Sequence, residues 1–164
     1  MKKLKTLVVV AMAGLAILSG ERVYGSEFFT RDELSLDLNG FAATRDRSGN
    51  SGGAAGVGVG MNYFWDSHWG VAADTYADAF DLPYMLNSSL IFRYPIGETR
   101  FAPYAMAGFG RQWRYAAQWT GHLAGGVEYR LNHRTGVFVD IREVFPDNTG
   151  DYTVFRFGFR LKFK

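Results

Sequence analysis

Along most of the chain, apolar residues alternate with small or polar ones at period two over stretches of about ten residues, and turn-forming residues break each stretch. Eight such stretches can be read, each a β-strand with two unlike faces. The first, Leu34 to Ala42, sets Leu34, Leu36 and Leu38 against Ser35, Asp37 and Asn39. In the second, Ala55 to Trp65, Val57, Val59, Met61, Tyr63 and Trp65 oppose Gly56, Gly58, Gly60 and Asn62. The third, Trp69 to Ala79, places Val71, Ala73, Thr75 and Ala77 opposite Asp74, Tyr76 and Asp78. Leu86 to Tyr94 is the fourth, with Leu90, Phe92 and Tyr94 facing away from Ser89, Ile91 and Arg93. Phe101 to Trp113 is so rich in Ala and Gly that its faces cannot be assigned. The sixth opposes Trp119, Leu123, Val127 and Tyr129 to His122, Glu128 and Arg130, and the seventh Val137, Val139 and Ile141 to Phe138, Asp140 and Arg142. In the eighth, Thr153 to Phe163, five apolar residues from Phe155 to Phe163 alternate with Arg156, Gly158, Arg160 and Lys162.

The N-terminus breaks the pattern. A basic stretch, Met1 to Lys5, precedes an apolar run, Thr6 to Leu18, that is too short for a bilayer-spanning helix of about 20 residues. This order reads as a secretory signal peptide cut after Gly20 or Gly25, with Val23-Tyr24-Gly25 before Ser26 the better fit. The expected organisation is therefore a signal peptide over 1–25 and one domain over 26–164. Removing 1–25 takes away Lys2, Lys3, Lys5, Arg22 and Glu21, and leaves 14 basic and 15 acidic residues. The apparent basicity belongs to the export signal, and nothing remaining points to a nucleic acid. The absence of cysteine excludes disulfide scaffolds, thiolate metal sites and Cys nucleophiles.

Alternation alone does not say which face meets solvent. Strands of nine to eleven residues match a tilted bilayer crossing and exceed the usual soluble length of about five or six. Aromatic residues gather at strand ends, as interfacial girdles require. Trp65, Trp69, Tyr94, Phe101, Tyr129 and Phe163 mark one rim, and Phe41, Trp113, Trp119, Phe145 and Tyr152 the other. Short links (Asp66 to His68, Pro95 to Arg100, Asn132 to Arg134) alternate with generally longer ones (Thr44 to Gly53, Phe80 to Met85, Arg114 to Gln118, Pro146 to Asp151). The expected fold is all-β: an eight-stranded antiparallel up-and-down transmembrane barrel with short periplasmic turns, longer extracellular loops and both termini in the periplasm.

The last strand, from Arg156 through Gly158 and Leu161 to Phe163, resembles the C-terminal signal by which outer-membrane barrels are recognised for insertion. Lys164 departs from that pattern, which more often stops at the aromatic residue. With the signal peptide and the eight alternating segments, the mature chain resembles the small OmpA/OmpX-type barrels. Segments such as Pro103 to Gly108 and Gly125 to Arg130 carry the same likeness. The resemblance implies a monomer in the outer membrane, in contact with its lipid and lipopolysaccharide and inserted by the barrel-assembly machinery. It implies no particular activity and no cofactor.

An eight-stranded barrel has an interior just wide enough for side chains to fill. The inward set Asp37, Asp74, Asp78, Arg93, Glu128, Arg130, Asp140, Arg142, Arg156 and Arg160 is therefore expected to form a packed ion-pair network, with Arg142 or Arg156 as partners for Glu128. A proton relay or salt-bridge gate is the functional alternative to a structural core. The Gly56, Gly58 and Gly60 series sits at strand parity with no Lys or helix after it, which argues for close packing and against a phosphate loop.

Outer-membrane barrels of this size include lipid A deacylases and acyltransferases, so a Ser-His-acid site is the enzymatic alternative. His68 and His133 fall in tight turns, and His122 faces inward near the long-loop end. Ser88 and Ser89 match the height of His122. The deacylase-like run His-x-Ser-Asn is absent, its nearest counterpart being His133-Arg134-Thr135. No His pair stands at metal-ligand spacing. A surface-interaction role would draw on the polar loop Thr44 to Gly53 and on Arg111, Trp113, Arg114, Tyr115 and Trp119, which could grip phosphates or serve only as interfacial anchors. The reading at this level is a structural or surface-interaction barrel with no open pore, and the alternative is a lipid A-modifying enzyme on the same scaffold.

Overall fold

A computed structural model of the chain describes residues 27–45, 54–78, 85–113 and 117–163. The expected signal peptide, both cleavage positions, parts of the long loops and Lys164 lie outside the described residues.

Eight strands follow one another: β1 (Glu33–Arg45), β2 (Ala54–Phe64), β3 (Trp69–Asp78), β4 (Met85–Arg93), β5 (Phe101–Gln112), β6 (Gln118–Arg130), β7 (Thr135–Pro146) and β8 (Tyr152–Lys162). Each pairs antiparallel with its neighbour in sequence, and β1 pairs with β8, from Ser35 opposite Lys162 to Arg45 opposite Tyr152. Closure leaves no strand edge, so the ladder satisfies the backbone groups of every strand. The strands run to 13 residues in β1 and β6, longer than the apolar alternation alone marks out. Polar residues such as Glu33 and Gln118 extend the ladder past the apolar band.

Three links are tight, over residues 65–68, 94–100 and 131–134. Side-chain carboxyl and amide oxygens cap two of them, because Asp and Asn mimic a backbone turn. Asp66 Oδ1 accepts the amides of His68 and Trp69, both at 2.6 Å, and Asn132 Oδ1 accepts those of Arg134 and Thr135, both at 2.8 Å. In the third link Gly97 takes φ +52°, a conformation that suits glycine.

The faces follow the sequence pattern, with polarity inside out. Leu38, Val57, Met61, Val71, Leu90, Val139, Phe157 and Phe159 are exposed, whereas Asp37, Asp74, Glu128, Arg142 and Arg160 are buried. In β5, where the sequence gives no contrast, Ala102, Tyr104, Met106, Gly110 and Gln112 point inward and Phe101 and Phe109 outward.

Glycines on the inner face let side chains from the two flanking strands meet. Gly126 of β6 stands between Tyr104 of β5 and Asp140 of β7, and the Tyr104 hydroxyl donates to Asp140 Oδ2 across it at 2.6 Å. Gly58 likewise leaves room for Asn39 and Tyr76, as close packing requires. Two apolar clusters complete the filling. Phe64, Ala72, Ile91, Tyr104, Met106, Ala124 and Phe138 form one, and Phe41, Tyr76, Met85, Val144 and Val154 form the other near the long-loop end.

That second cluster corrects two girdle assignments. Phe41 is buried inside, and Tyr152 packs against the same cluster from the inner face. Both are aromatic and close to strand ends, but their parity turns them inward. Trp65, Trp69, Phe101, Tyr129 and Phe163 are exposed at the tight-turn rim with Tyr94 half-buried, and Trp113 and Trp119 are exposed at the other rim.

Candidate functional site

The distinctive chemistry lies in the lumen. Among the described residues, five carboxylates (Glu33, Asp37, Asp74, Glu128, Asp140) and five arginines (Arg93, Arg130, Arg142, Arg156, Arg160) are buried there, an equal count that leaves the formal charges balanced. Balance matters because an unpaired charge in such an enclosure would cost several kcal/mol, on the order of the desolvation penalty.

The charges form two tiers. In the lower tier, toward the tight turns, Arg93 Nη1 and Nη2 donate to Glu33 Oε1 and Oε2 at 3.1 and 3.3 Å, and Arg130 donates to the same carboxylate. Glu128 links this group upward. Its Oε1 lies 2.6 Å from Arg130 Nε, and its Oε2 accepts from Arg160 Nη1 at 2.5 Å. Arg160 also grips Asp37 bidentately, with Nε to Oδ1 at 2.7 Å and Nη2 to Oδ2 at 2.8 Å, the geometry in which a planar guanidinium matches a carboxylate best.

In the upper tier two further forks are crossed. Arg156 donates from Nε and Nη2 to Asp140 at 2.8 and 2.6 Å, and Arg142 from Nη1 and Nη2 to Asp74 at 3.0 and 2.9 Å. Arg156 Nη1 adds a bond to the Tyr76 hydroxyl at 3.1 Å and lies 3.6 Å from Asp74 Oδ2, joining the two forks. Asn87 Nδ2 completes the Asp74 shell at 2.8 Å. Aromatic faces fill the space between the tiers: the Arg160 guanidinium lies 5.8 Å from the Tyr104 ring centre and 5.4 Å from that of Phe138.

Nine of the ten residues expected in the network thus stand in it, and the side chain of Asp78 lies outside the described residues. Glu33 is the member that the sequence pattern missed, although it shares the parity of Asp37. The partners expected for Glu128 are corrected: it contacts Arg130 and Arg160, with Arg93 at 3.8 Å, whereas Arg142 and Arg156 belong to the upper tier. Of the C-terminal signal residues, Arg156 and Gly158 face inward, while Leu161 and Phe163 sit on the outer face.

The barrel also brings together a serine and a histidine that the sequence matched only by height. Ser89 of β4 and His122 of β6 both pair with Gly108 of β5, and across that glycine the Ser89 hydroxyl and His122 Nε2 approach to 2.8 Å. Among the described residues His122 Nδ1 has no hydrogen-bond partner, and both residues are buried. A general base of the Ser-His-acid kind needs an acid at Nδ1 and a path for substrate to the hydroxyl. Among the described residues no acid bonds Nδ1, and the hydroxyl is buried. His68 and His133 stand in tight turns, with His68 Nδ1 2.9 Å from Ser67 Oγ and the His133 ring stacked on Phe28 at 4.8 Å. Among the described residues no group of acids and histidines has the arrangement of a metal site.

Comparison with known proteins bears on the fold alone. No family model matches the chain, and no curated protein matches it in sequence. Among solved structures, it is similar to Neisserial surface protein A (TM-score 0.62, 14% identity, covering 79% of this chain and 97% of that one). It is similar also to the outer membrane protein OprG from Pseudomonas aeruginosa (TM-score 0.57, 13% identity, 84% and 99%). A third match is a de novo designed transmembrane β-barrel (TM-score 0.61, 15% identity, 82% and 98%). The chain thus has the fold of the small eight-stranded outer-membrane barrels, the OmpA/OmpX-type architecture that its sequence resembles. That a designed barrel matches as well as natural ones underlines that this architecture carries no single function.

Proposed function

We propose that this chain is an integral outer-membrane barrel with a structural or surface-interaction role, occluded along its axis by the interior network. The observation that carries the reading is the reversal of polarity: large apolar side chains cover the outside, and ten charged ones fill the inside. Water cannot sustain such an outer surface, whereas lipid can, and the arginine–carboxylate forks leave a barrel of this strand number little open cross-section. Residues 1–25 export the chain as a signal peptide, the barrel-assembly machinery reads Arg156, Gly158, Leu161 and Phe163, and the barrel works as a monomer. Trp65, Trp69, Tyr94, Tyr129 and Phe163 anchor it at the periplasmic interface, and Trp113 and Trp119 at the extracellular one. At the extracellular rim Arg111 lies 5.1 Å from the Trp119 ring centre, a cation–aromatic contact beside an interfacial anchor.

The enclosed Ser89–His122 pair favours a non-enzymatic role over lipid A modification, because no outer-leaflet lipid can reach it. The test is twofold. The protein should fractionate with outer membranes and migrate faster on gels before boiling than after, and in planar bilayers it should give little steady conductance. Recovery as a soluble periplasmic monomer would contradict the barrel reading, and a stable open channel would contradict occlusion.

A further inference from the structure

The ion network begins at the periplasmic mouth, and the chain folds over that mouth before β1 starts. Phe29 is buried, 1% exposed, although it belongs to no strand. Its ring meets two guanidinium groups of the lower tier, with Arg93 Cζ at 4.9 Å and Arg130 Cζ at 5.2 Å from its centre. These are the last residues of β4 and β6, and the carboxylate they share belongs to Glu33, the first residue of β1. Phe29 therefore covers the point where the lumen would open.

Anchors on three sides hold the segment. Phe28 stacks flat on His133 in the β6–β7 turn, at 4.8 Å and 8°, and Arg100 of the β4–β5 link lies 5.0 Å from the Phe28 ring centre. Lys162 Nζ, at the end of β8, donates to Thr30 Oγ1 at 2.6 Å. Asp32 takes φ +55°, a left-handed conformation that Asp tolerates and that turns the chain up into β1. Its Oδ1 accepts from the Tyr63 hydroxyl of β2 at 3.2 Å. None of these contacts is part of the barrel ladder, so the segment can leave while the wall stays closed.

We propose that residues 27–32 are a stopper: an autoinhibitory segment that seals the periplasmic end of the lumen and whose release admits water and small polar solutes to the Glu33–Arg93–Arg130 cluster. Arg93 and Arg130 hold Phe29 as a cation–aromatic lid, and the outer anchors set how often it lifts. This rests on the occluded-barrel reading and gives it a point of entry.

The experiment uses two cysteine sensors in the full chain, folded in detergent micelles, together with a charged methanethiosulfonate reagent. Ser35→Cys sits on the inner face just above the stopper, where the serine is fully buried and its hydroxyl has no partner among the described residues. Thr120→Cys sits on the inner face of β6 near the opposite end, also buried, its hydroxyl without a partner among the described residues. Adding Phe29→Ala should raise labelling of Ser35→Cys by roughly tenfold or more, the effect expected when a local opening becomes easier. Labelling of Thr120→Cys should stay unchanged. Phe28→Ala with Thr30→Ala, which removes outer anchors only, should give a smaller rise at Ser35→Cys.

Equal labelling of Ser35→Cys with and without Phe29 would overturn the stopper. A parallel rise at both sensors would do the same, since it would report a loosened barrel. Failure of Phe29→Ala to reach the compact gel form would also count against it, because a stopper is dispensable to the wall. A stable open channel in the unaltered protein would contradict occlusion, while the ratio at Ser35→Cys would still decide the stopper.

Discussion

Glu128→Gln removes the one charge that joins the lower tier to the middle of the lumen, and its cost can be worked from the contacts. The carboxylate lies within ion-pair distance of Arg160, Arg130 and Arg93, at 2.5, 2.6 and 3.8 Å, and all four side chains are essentially unexposed. Glutamine keeps the shape and one acceptor, so no cavity opens, and the cost is electrostatic. Three guanidiniums would then share two carboxylates, Glu33 and Asp37. Removing one partner of a buried pair costs about 3–5 kcal/mol, because the other charge is left uncompensated. With a urea slope of about 2 kcal/mol per molar, a loss near 4 kcal/mol lowers the unfolding midpoint by roughly 2 M. The assay is urea unfolding in lipid vesicles, followed by fluorescence of the four tryptophans, all of which sit at the rims. The double variant Glu128→Gln with Arg130→Met should recover much of the loss, since it removes a positive charge along with the negative one and leaves Glu33 paired with Arg93 and Asp37 with Arg160. A single variant within about 0.5 kcal/mol of the parent, or a double variant whose cost is the plain sum of the singles, would show that the contacts are not energetically coupled.

Phe157→Arg, on the most exposed stretch of β8, should impair insertion by about 2–4 kcal/mol, the cost of a cation facing hydrocarbon, measured as folding yield into vesicles. Arg160→Gln should cost stability comparable to Glu128→Gln, because Arg160 holds both Asp37 and Glu128. Gly126→Ala would place a methyl 2.9 Å from Tyr104 Cζ and 2.5 Å from the Val139 carbonyl oxygen, and overpacking of this kind should cost about 1–3 kcal/mol. Gly125→Ala, whose added carbon meets nothing within 4 Å, should be neutral in the same unfolding assay. A fluorophosphonate probe should leave Ser89 unlabelled in the folded protein, and labelling that depends on His122 would revive the enzymatic reading.

The faces of β8 were legible because Phe155, Phe157 and Phe159 contrast sharply with Arg156 and Arg160, and contrast of that kind is what period-two reading detects. In β5 small residues occupy both faces, Ala105 and Ala107 outside and Ala102, Gly108 and Gly110 inside, so only pairing with β4 and β6 fixes its phase. Glu33 lies outside the apolar alternation, which begins at Leu34. Phe41 shares the parity of Asp37 and Asn39, so its inward position was present in the pattern, outweighed by its place near a strand end. The Ser89–His122 contact and the Tyr104–Asp140 bond each span a glycine on the strand between, and such meetings depend on non-local register. The segment 27–32 has no periodicity at all. Its position follows from the turns and strand ends it covers, which local sequence does not encode.

The proposed barrel shows hydrocarbon-loving side chains to lipid and seals charged ones within. Nuclear magnetic resonance of the protein in lipid nanodiscs tests both halves without altering a residue. A lipid-soluble paramagnet should broaden side-chain signals of Phe155, Phe157 and Phe159, while a water-soluble gadolinium chelate should leave both those and the guanidinium signals of Arg156 and Arg160 sharp. Broadening of the phenylalanines by the chelate would mean that the apolar face meets water, and broadening of the arginines would mean that the lumen is open.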